Sequence, residues 1–220
     1  EIIEMDFAQL EFRVAAFLSQ DSQAIQDILE GVDVHQNTAN VIGCDRQTAK
    51  AHTFKPLYGG MSGTDEEKKY YSYFRKRYKG ITLWQEKTED TAISTSFVTL
   101  PSGRQYYFEG IKRASWGGSN FYTQVRNYPV QGFATGDIVP VACIDIYKSM
   151  KNMRTRLINT VHDSIIIDVH PKEVDSVLNK LKKACDGITQ SINKRYNIDF
   201  NVPLDYEIKK GHNWLDLKRI

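Results

Sequence analysis

Asn159-Thr-Val-His-Asp-Ser-Ile-Ile-Ile-Asp-Val-His170 holds the most β-branched run of the chain, and its reading decides the fold. Strand-forming residues on both sides of the polar pair His162-Asp163 predict a β-hairpin over residues 159–170 that turns at that pair. Far upstream, Ile2 to Phe7 reads as another short strand, and Val202 to Ile208 alternates as a strand should. The residues Val174, Val177, Leu178, Leu181, Cys185, Ile188 and Ile192 form an apolar stripe with helical spacing. Antiparallel strands with helices on one face predict an α+β fold, an antiparallel sheet with packed helices, whose middle third is a mostly helical insertion.

Within that insertion, Gln9 to Leu18 and Ser22 to Glu30 read as helices, the second closed by Gly31. Asp33 caps a helix running to about Ile42, with Gly43 as its stop, and Asp45 caps the next over residues 45–56. Pro56 lacks an N–H and clashes with the His52 carbonyl, so that helix is expected to end or kink there. Charged helix follows from Thr64 to Tyr78 and more helix from Ile81 to about Ser94. Phe97 to Phe108 is β-rich and broken at Ser102-Gly103, which predicts a hairpin. Phe133 to Met150 reads as helix kinked by Pro140.

Composition bounds the class. The chain has 220 residues, 41% hydrophobic and 25% charged, which is globular and not disordered. A net charge of +2 decides nothing about nucleic acid, because 29 Lys and Arg are enough to build one basic surface. Cys44, Cys143 and Cys185 are far apart with no Cys-x-x-Cys spacing, which argues against a zinc site or a disulfide framework and for a reducing compartment. No apolar run approaches the roughly 20 residues needed to span a bilayer. The start at Glu1, running directly into an apolar stretch, reads as part of something longer.

Three segments carry chemistry. Asp6-Phe-Ala-Gln-Leu-Glu-Phe-Arg13 and Val161-His-Asp-Ser-Ile-Ile-Ile-Asp168 each set one carboxylate beside an apolar extended run. Either aspartate alone would pass for a turn or cap residue. Together they offer two rigidly held hard oxygen donors, which suit Mg²⁺. Between them lies Arg46-x-x-x-Lys50-x-x-x-Phe54-x-x-x-Tyr58-Gly59. Residues four apart drift by about 40° on a helix, so the first three share a face, where two cations and an aromatic suit a triphosphate and a base. Paired carboxylates and a cationic helix face are what phosphoryl transfer with two metal ions requires.

These segments resemble, in order, motifs A, B and C of the family A DNA polymerases, the family of bacterial DNA polymerase I and several phage replicative enzymes. The resemblance implies a polymerase palm made of residues 1–13 and 116–220, with mostly helical fingers at 14–115. It implies that Asp6, the Phe7 carbonyl and Asp163 hold two Mg²⁺ ions, with Mn²⁺ as a substitute. Arg46 and Lys50 would bind the dNTP phosphates, with Lys50 placed to protonate the leaving pyrophosphate. Phe54 would pack on sugar and base, Tyr58 would sit under the nascent pair, and Gln9 and His35 (in Gly31-x-Asp33-x-His35) would complete the dNTP set. Glu11 matches a steric gate against a ribose 2′-OH and, with Phe54, separates the chain from single-subunit RNA polymerases. Template–primer DNA would meet Arg13, Arg104 of the hairpin Thr99-Leu-Pro-Ser-Gly-Arg104, Asn127 and Gln131 of Asn127-x-Pro129-x-Gln131-Gly132, and His162.

The match to the family is incomplete. Lys55-Pro56 follows Phe54 where a small residue is usual, Thr123 stands at a usual Arg with Arg126 nearby, and Ser164 replaces the usual second acid of motif C. The closing segment Pro203 to Trp214 resembles the family's end, whereas thumb, first palm strands and any exonuclease lie upstream of motif A there, and thumb and remaining palm are expected on an N-terminal segment or a separate chain. The expectation is a template-directed DNA polymerase of replication or repair, cytoplasmic in a bacterium or phage-infected host, with an organelle also open. The alternative is a catalytically inactive nucleic-acid-binding subunit.

Overall fold

The computed structural model describes residues Glu1–Ile220. They form two compact units, Glu1–Leu10 with Gly132–Ile220, and Glu11–Gln131. No helix is long and apolar enough to cross a membrane.

The first unit is built on a five-stranded antiparallel sheet. Its strands are β1 (Ile2–Phe7), β4 (Arg156–Val161), β5 (Ser164–Asp168), β6 (Tyr206–Gly211) and β7 (Lys218–Arg219), in the order β4-β5-β1-β6-β7. Side chains alternate between faces. Ile3 and Met5 of β1, paired with Ile167 and Ile165 of β5, are fully buried on one face. The other face carries Glu4 and Asp6 with their partners Ile166 and Ser164 on β5, and Lys209 and Glu207 on β6. One apolar and one polar face is what a sheet covered by helices on a single side needs.

The helices of this unit are α8 (Val139–Ser149), α9 (Val174–Asp186) and α10 (Ile188–Tyr196). Their stripe residues Val177, Leu181, Cys185, Ile188 and Ile192 are buried, and Gly187 divides the stripe into two helices. Pro140 stands in the first turn of α8, where a missing N–H costs nothing. The irregularity lies ahead of it, as a five-residue π turn at Ala134–Ile138. The closing strand starts at Tyr206, later than Val202, because Pro203 cannot donate to a ladder.

The second unit is helical. It contains α1 (Leu10–Ser19), α2 (Ser22–Leu29), α3 (Val34–Ile42), α4 (Arg46–Leu57), α5 (Asp65–Arg77), α6 (Lys79–Thr95) and α7 (Tyr122–Phe133), with the hairpin β2 (Phe97–Thr99) and β3 (Gln105–Tyr107). Helices α1 and α7 cross the unit boundaries. The expected caps hold: Asp33 accepts from the amides of His35 and Gln36, and Asp45 from that of Thr48. Tyr70, Tyr71, Phe74, Tyr78 and Ile81 fill the core, and the hydroxyls of Thr38, Thr53 and Tyr70 bond one another inside it.

One core group was not legible as such. Asp27 is fully buried and accepts two hydrogen bonds from Arg77 (2.8 and 2.6 Å) and one from the Tyr78 hydroxyl (2.7 Å). Burial pushes its carboxyl up, but the bonds from Arg77 and Tyr78 outweigh that and hold it below the usual range.

Candidate active site

In the first unit the carboxylates of interest lie at one end of the sheet. Asp6 is the penultimate residue of β1, opposite Ser164 on one side and Glu207 on the other. Asp163 sits in the two-residue turn between β4 and β5, where His162 takes a left-handed φ of 54° and is exposed. The Phe7 amide donates to the Asp163 carbonyl at 3.3 Å, so the end of β1 is tied directly to that turn. Asp6, Phe7 and Asp163 are therefore brought together by register, through a central strand and a hairpin that are both backed by buried isoleucines. Ser164 is buried, and its hydroxyl donates to the Val161 carbonyl at 3.0 Å, closing the hairpin.

Two further residues belong to this face. Lys209 Nζ lies 2.7 Å from Glu4 Oε1 and 3.8 Å from Asp6 Oδ2. The Glu4 hydrogen bond, with the carboxylates of Asp6 and Glu207 nearby, raises the Lys209 ammonium above its usual range. Neither residue was singled out from sequence. Glu4 had a signal, since it lies two before Asp6 in a strand and so shares its face.

In the second unit, α4 presents Arg46, Lys50 and Phe54 at four-residue intervals, with Tyr58 as its C-cap. The Phe54 and Tyr58 rings stack at 6.3 Å with 9° between planes, and His35 meets Phe54 at 5.5 Å. Lys50 is exposed. Arg46 Nε donates to Asp33 Oδ2 at 2.7 Å, joining the α4 cations to the α3 cap. Pro56 ends α4 within one residue, and Gln85 Nε2 donates to the carbonyls of Pro56 (3.3 Å) and Leu57 (2.5 Å). Tyr58 is thus fixed by the helix end and not displaced by the proline.

The turn that follows depends on glycine. Gly59 has φ 80°, and an added Cβ would collide with the Arg126 side chain. Arg126 is held by Glu89, which is 2.7 Å from its Nη2 and also accepts from the Ser119 amide. That makes it an internal ion pair of this unit rather than a solvent-facing cation. The Tyr58 phenol is raised well above its usual range by burial first and by the Glu11 carboxylate second, against a hydrogen bond with Gln131. Glu11, Tyr58 and Gln131 are therefore neighbours.

His35 is 5% exposed, and its Nδ1 has no hydrogen-bond partner. Burial, reinforced by Arg46 and Lys50 against the attraction of Asp33, pushes its pKa down to about 4. The ring is neutral at pH 7. Between pH 6.5 and about 4 the unfolded chain gains a proton that the folded one refuses, so stability falls as pH falls through that window. The loss amounts to about 3 kcal/mol at most. A pH series of urea melts is expected to show a shallower decline in His35→Asn than in the unsubstituted chain.

Of the remaining expected residues, Asn127 and Gln131 fall one turn apart on α7, with Gln131 exposed. Arg104 is exposed beside the β2–β3 turn. Gln9 sits in a left-handed turn (φ 54°) between β1 and α1. Arg13 is 6% exposed, inside the second unit.

The family model for DNA polymerase family A matches residues 1–216. The chain belongs to DNA polymerase family A. Among similar family members, DNA polymerase I of Caldicellulosiruptor bescii is 28% identical across 99% of this chain and 27% of its own length. The thermostable DNA polymerase I of Thermus aquaticus is 25% identical, again across 99% of this chain and 27% of its own. The chain thus spans about a quarter of the curated relatives it matches. The solved POL domain of Pol1 from M. smegmatis, in complex with DNA primer-template and dNTP, shares the fold at a TM-score of 0.75 and 23% identity, covering 97% of this chain and 40% of that one.

Proposed function

We propose that this chain carries the nucleotidyl-transfer residues of a template-directed DNA polymerase, joining dNTPs to a primer 3′-OH with release of pyrophosphate. The observation that carries the reading is the register of β1, which sets Asp6 and Phe7 beside the turn that bears Asp163. Two carboxylates and a backbone carbonyl are hard oxygen donors and fit Mg²⁺, with Mn²⁺ as a substitute. Asp6, Asp163 and the Phe7 carbonyl would hold two such ions. Bound there, they supply positive charge that lowers the 3′-OH pKa and offsets charge building on the phosphoryl group.

The other residues bind and orient. Arg46 and Lys50 take the triphosphate by charge-assisted hydrogen bonds, and Lys50 Nζ gives a proton to the leaving pyrophosphate. Phe54 and Tyr58, already stacked, receive sugar and base. Glu11 beside Tyr58 excludes a ribose 2′-OH, and Gln9 and His35, neutral at pH 7, complete the nucleotide set. Asn127 and Gln131 offer amides to the acceptors that all base pairs share in the minor groove. His162, Arg13 and Arg104 complete the template–primer set. Residues 1–13 and 116–220 correspond in this reading to palm, and 14–115 to fingers. Thumb and remaining palm would come from an N-terminal segment or a second chain. The three free cysteines and the bacterial relatives support a cytoplasmic setting.

Primer extension tests this. The chain with Mg²⁺ is expected to extend a primer with dNTPs and not rNTPs, and to stop when EDTA removes the metal. Glu11→Ala is expected to lose discrimination against rNTPs by on the order of 10²-fold, since removing the carboxylate removes the clash. Folded chain that binds primer–template yet extends nothing even when the thumb and remaining palm are supplied would overturn the reading.

A further inference from the structure

We propose that Lys209, anchored by Glu4, is a positioning residue for Asp6 and sets how tightly the Asp6 site takes a divalent cation. This rests on the reading of Asp6 as a metal ligand. The β1–β6 register pairs Glu4 with Lys209 and Asp6 with Glu207, so all four side chains rise from the same face of the sheet. The ammonium of Lys209 is 2.7 Å from Glu4 Oε1 and 3.8 Å from Asp6 Oδ2. Glu4 is 9% exposed, and its second oxygen accepts from Trp214 Nε1 at 3.4 Å, so the anchor is itself held on both sides. Glu207, the other acid on this face, is drawn to Arg219 Nη1 at 2.8 Å.

Lys209 thus stands where it both orients Asp6 Oδ2 and competes with a cation for it. The division of its charge between Glu4 and Asp6 decides the balance. With the Glu4 carboxylate in place, the closer contact of the ammonium goes to Glu4 and the longer one to Asp6. Neutralising Glu4 turns the whole charge onto Asp6. Removing Lys209 leaves Asp6 without its competitor and Glu4 as added negative charge close by. The two substitutions should therefore move metal affinity in opposite directions.

The test is direct Mn²⁺ binding to the chain followed by electron paramagnetic resonance, with thermal melting to confirm the fold. Lys209→Met is expected to lower the Mn²⁺ dissociation constant by about tenfold, and Glu4→Gln to raise it several-fold. The double variant Glu4→Gln/Lys209→Met leaves no buried charge unpaired and is expected to bind more tightly than Glu4→Gln alone. Lys210→Met removes an equal charge from the opposite face, where Nζ meets Glu1 at 3.4 Å, and is expected to leave binding unchanged. A merely structural role for the pair would not give shifts of opposite sign. Shifts of one sign, or none, in folded variants would overturn the proposal while loss of binding in Asp6→Asn upheld the metal site. Absence of Mn²⁺ binding in the unsubstituted chain, or binding unaffected by Asp6→Asn, would remove the metal site and the role of Lys209 with it.

Discussion

Asp163→Ala is expected to lower the single-turnover rate of nucleotide incorporation by on the order of 10³-fold or more, with the melting temperature nearly unchanged. The size follows from what one metal-holding carboxylate supplies, several kcal/mol of charge stabilisation, each 1.4 kcal/mol of which is tenfold in rate. The hairpin itself is closed by bonds that an alanine at 163 leaves in place. Residues of β4 and β5 pair through their backbones, the Ser164 hydroxyl closes the hairpin on Val161, and the Phe7 amide bonds the Asp163 carbonyl, which alanine keeps. Rapid-quench kinetics beside a melting curve check both halves. A variant within tenfold of the unsubstituted rate would remove Asp163 from the chemistry. A variant that melts far lower would make it a structural turn residue.

Asp27→Ala is expected to cost about 3–5 kcal/mol, the largest stability effect of a single polar substitution outside the candidate site. Its carboxylate is the acceptor for Arg77 through two bonds and for the Tyr78 hydroxyl. Deleting it leaves a guanidinium and a buried hydroxyl without their partner, and the penalty of an unpaired buried group exceeds the net worth of the pair. Because the folded-state pKa of Asp27 is depressed, its contribution is fully present above the unfolded value near 3.8 and is lost as pH falls below it. Urea denaturation at pH 7 measures the difference. The double variant Asp27→Leu/Arg77→Met should recover much of the loss, since it leaves no charge behind, whereas a single-variant cost under 1 kcal/mol would show that the pair is solvated.

The contrast between these two aspartates shows what was legible in the chain. Asp163 was legible as a turn because His-Asp interrupts a β-branched run, and as a candidate site only through its pairing with Asp6 and the resemblance to motif C. Asp27 lies in an ordinary helical stretch, and its partners are 50 and 51 residues away. A sequence separation of that size carries no periodicity to read. Glu4 and Lys209, 205 residues apart, illustrate the same point at the sheet. The strand containing Glu4 was evident, but which lysine faces it depends on the register of β1 against β6.

Local chemistry was more faithful. Asp33 and Asp45 cap the helices they precede, since a side-chain oxygen three residues ahead of an amide needs no tertiary help. Pro56 stops α4, and His162 turns the β4–β5 hairpin. The errors sit where local rules compete with packing. The kink expected at Pro140 appears as a π turn before it, because the first turn of α8 accommodates a proline without loss.

By itself, then, the sequence determined the elements, a strand carrying Asp6 near its end, a cationic helix of period four, a hairpin turning at Asp163 and the α+β class they imply, while the candidate roles came from the resemblance to motifs A, B and C. The elements follow from periodicity, capping and turn chemistry, all of which act within a few residues. Only the tertiary structure decided that Phe7 meets the Asp163 turn, that Ser164 is spent on the hairpin, that Glu11 neighbours Tyr58, and that Lys209 divides its charge between Glu4 and Asp6. Those relations are set by strand register and by buried packing, where a shift of one residue would turn every side chain to the other face.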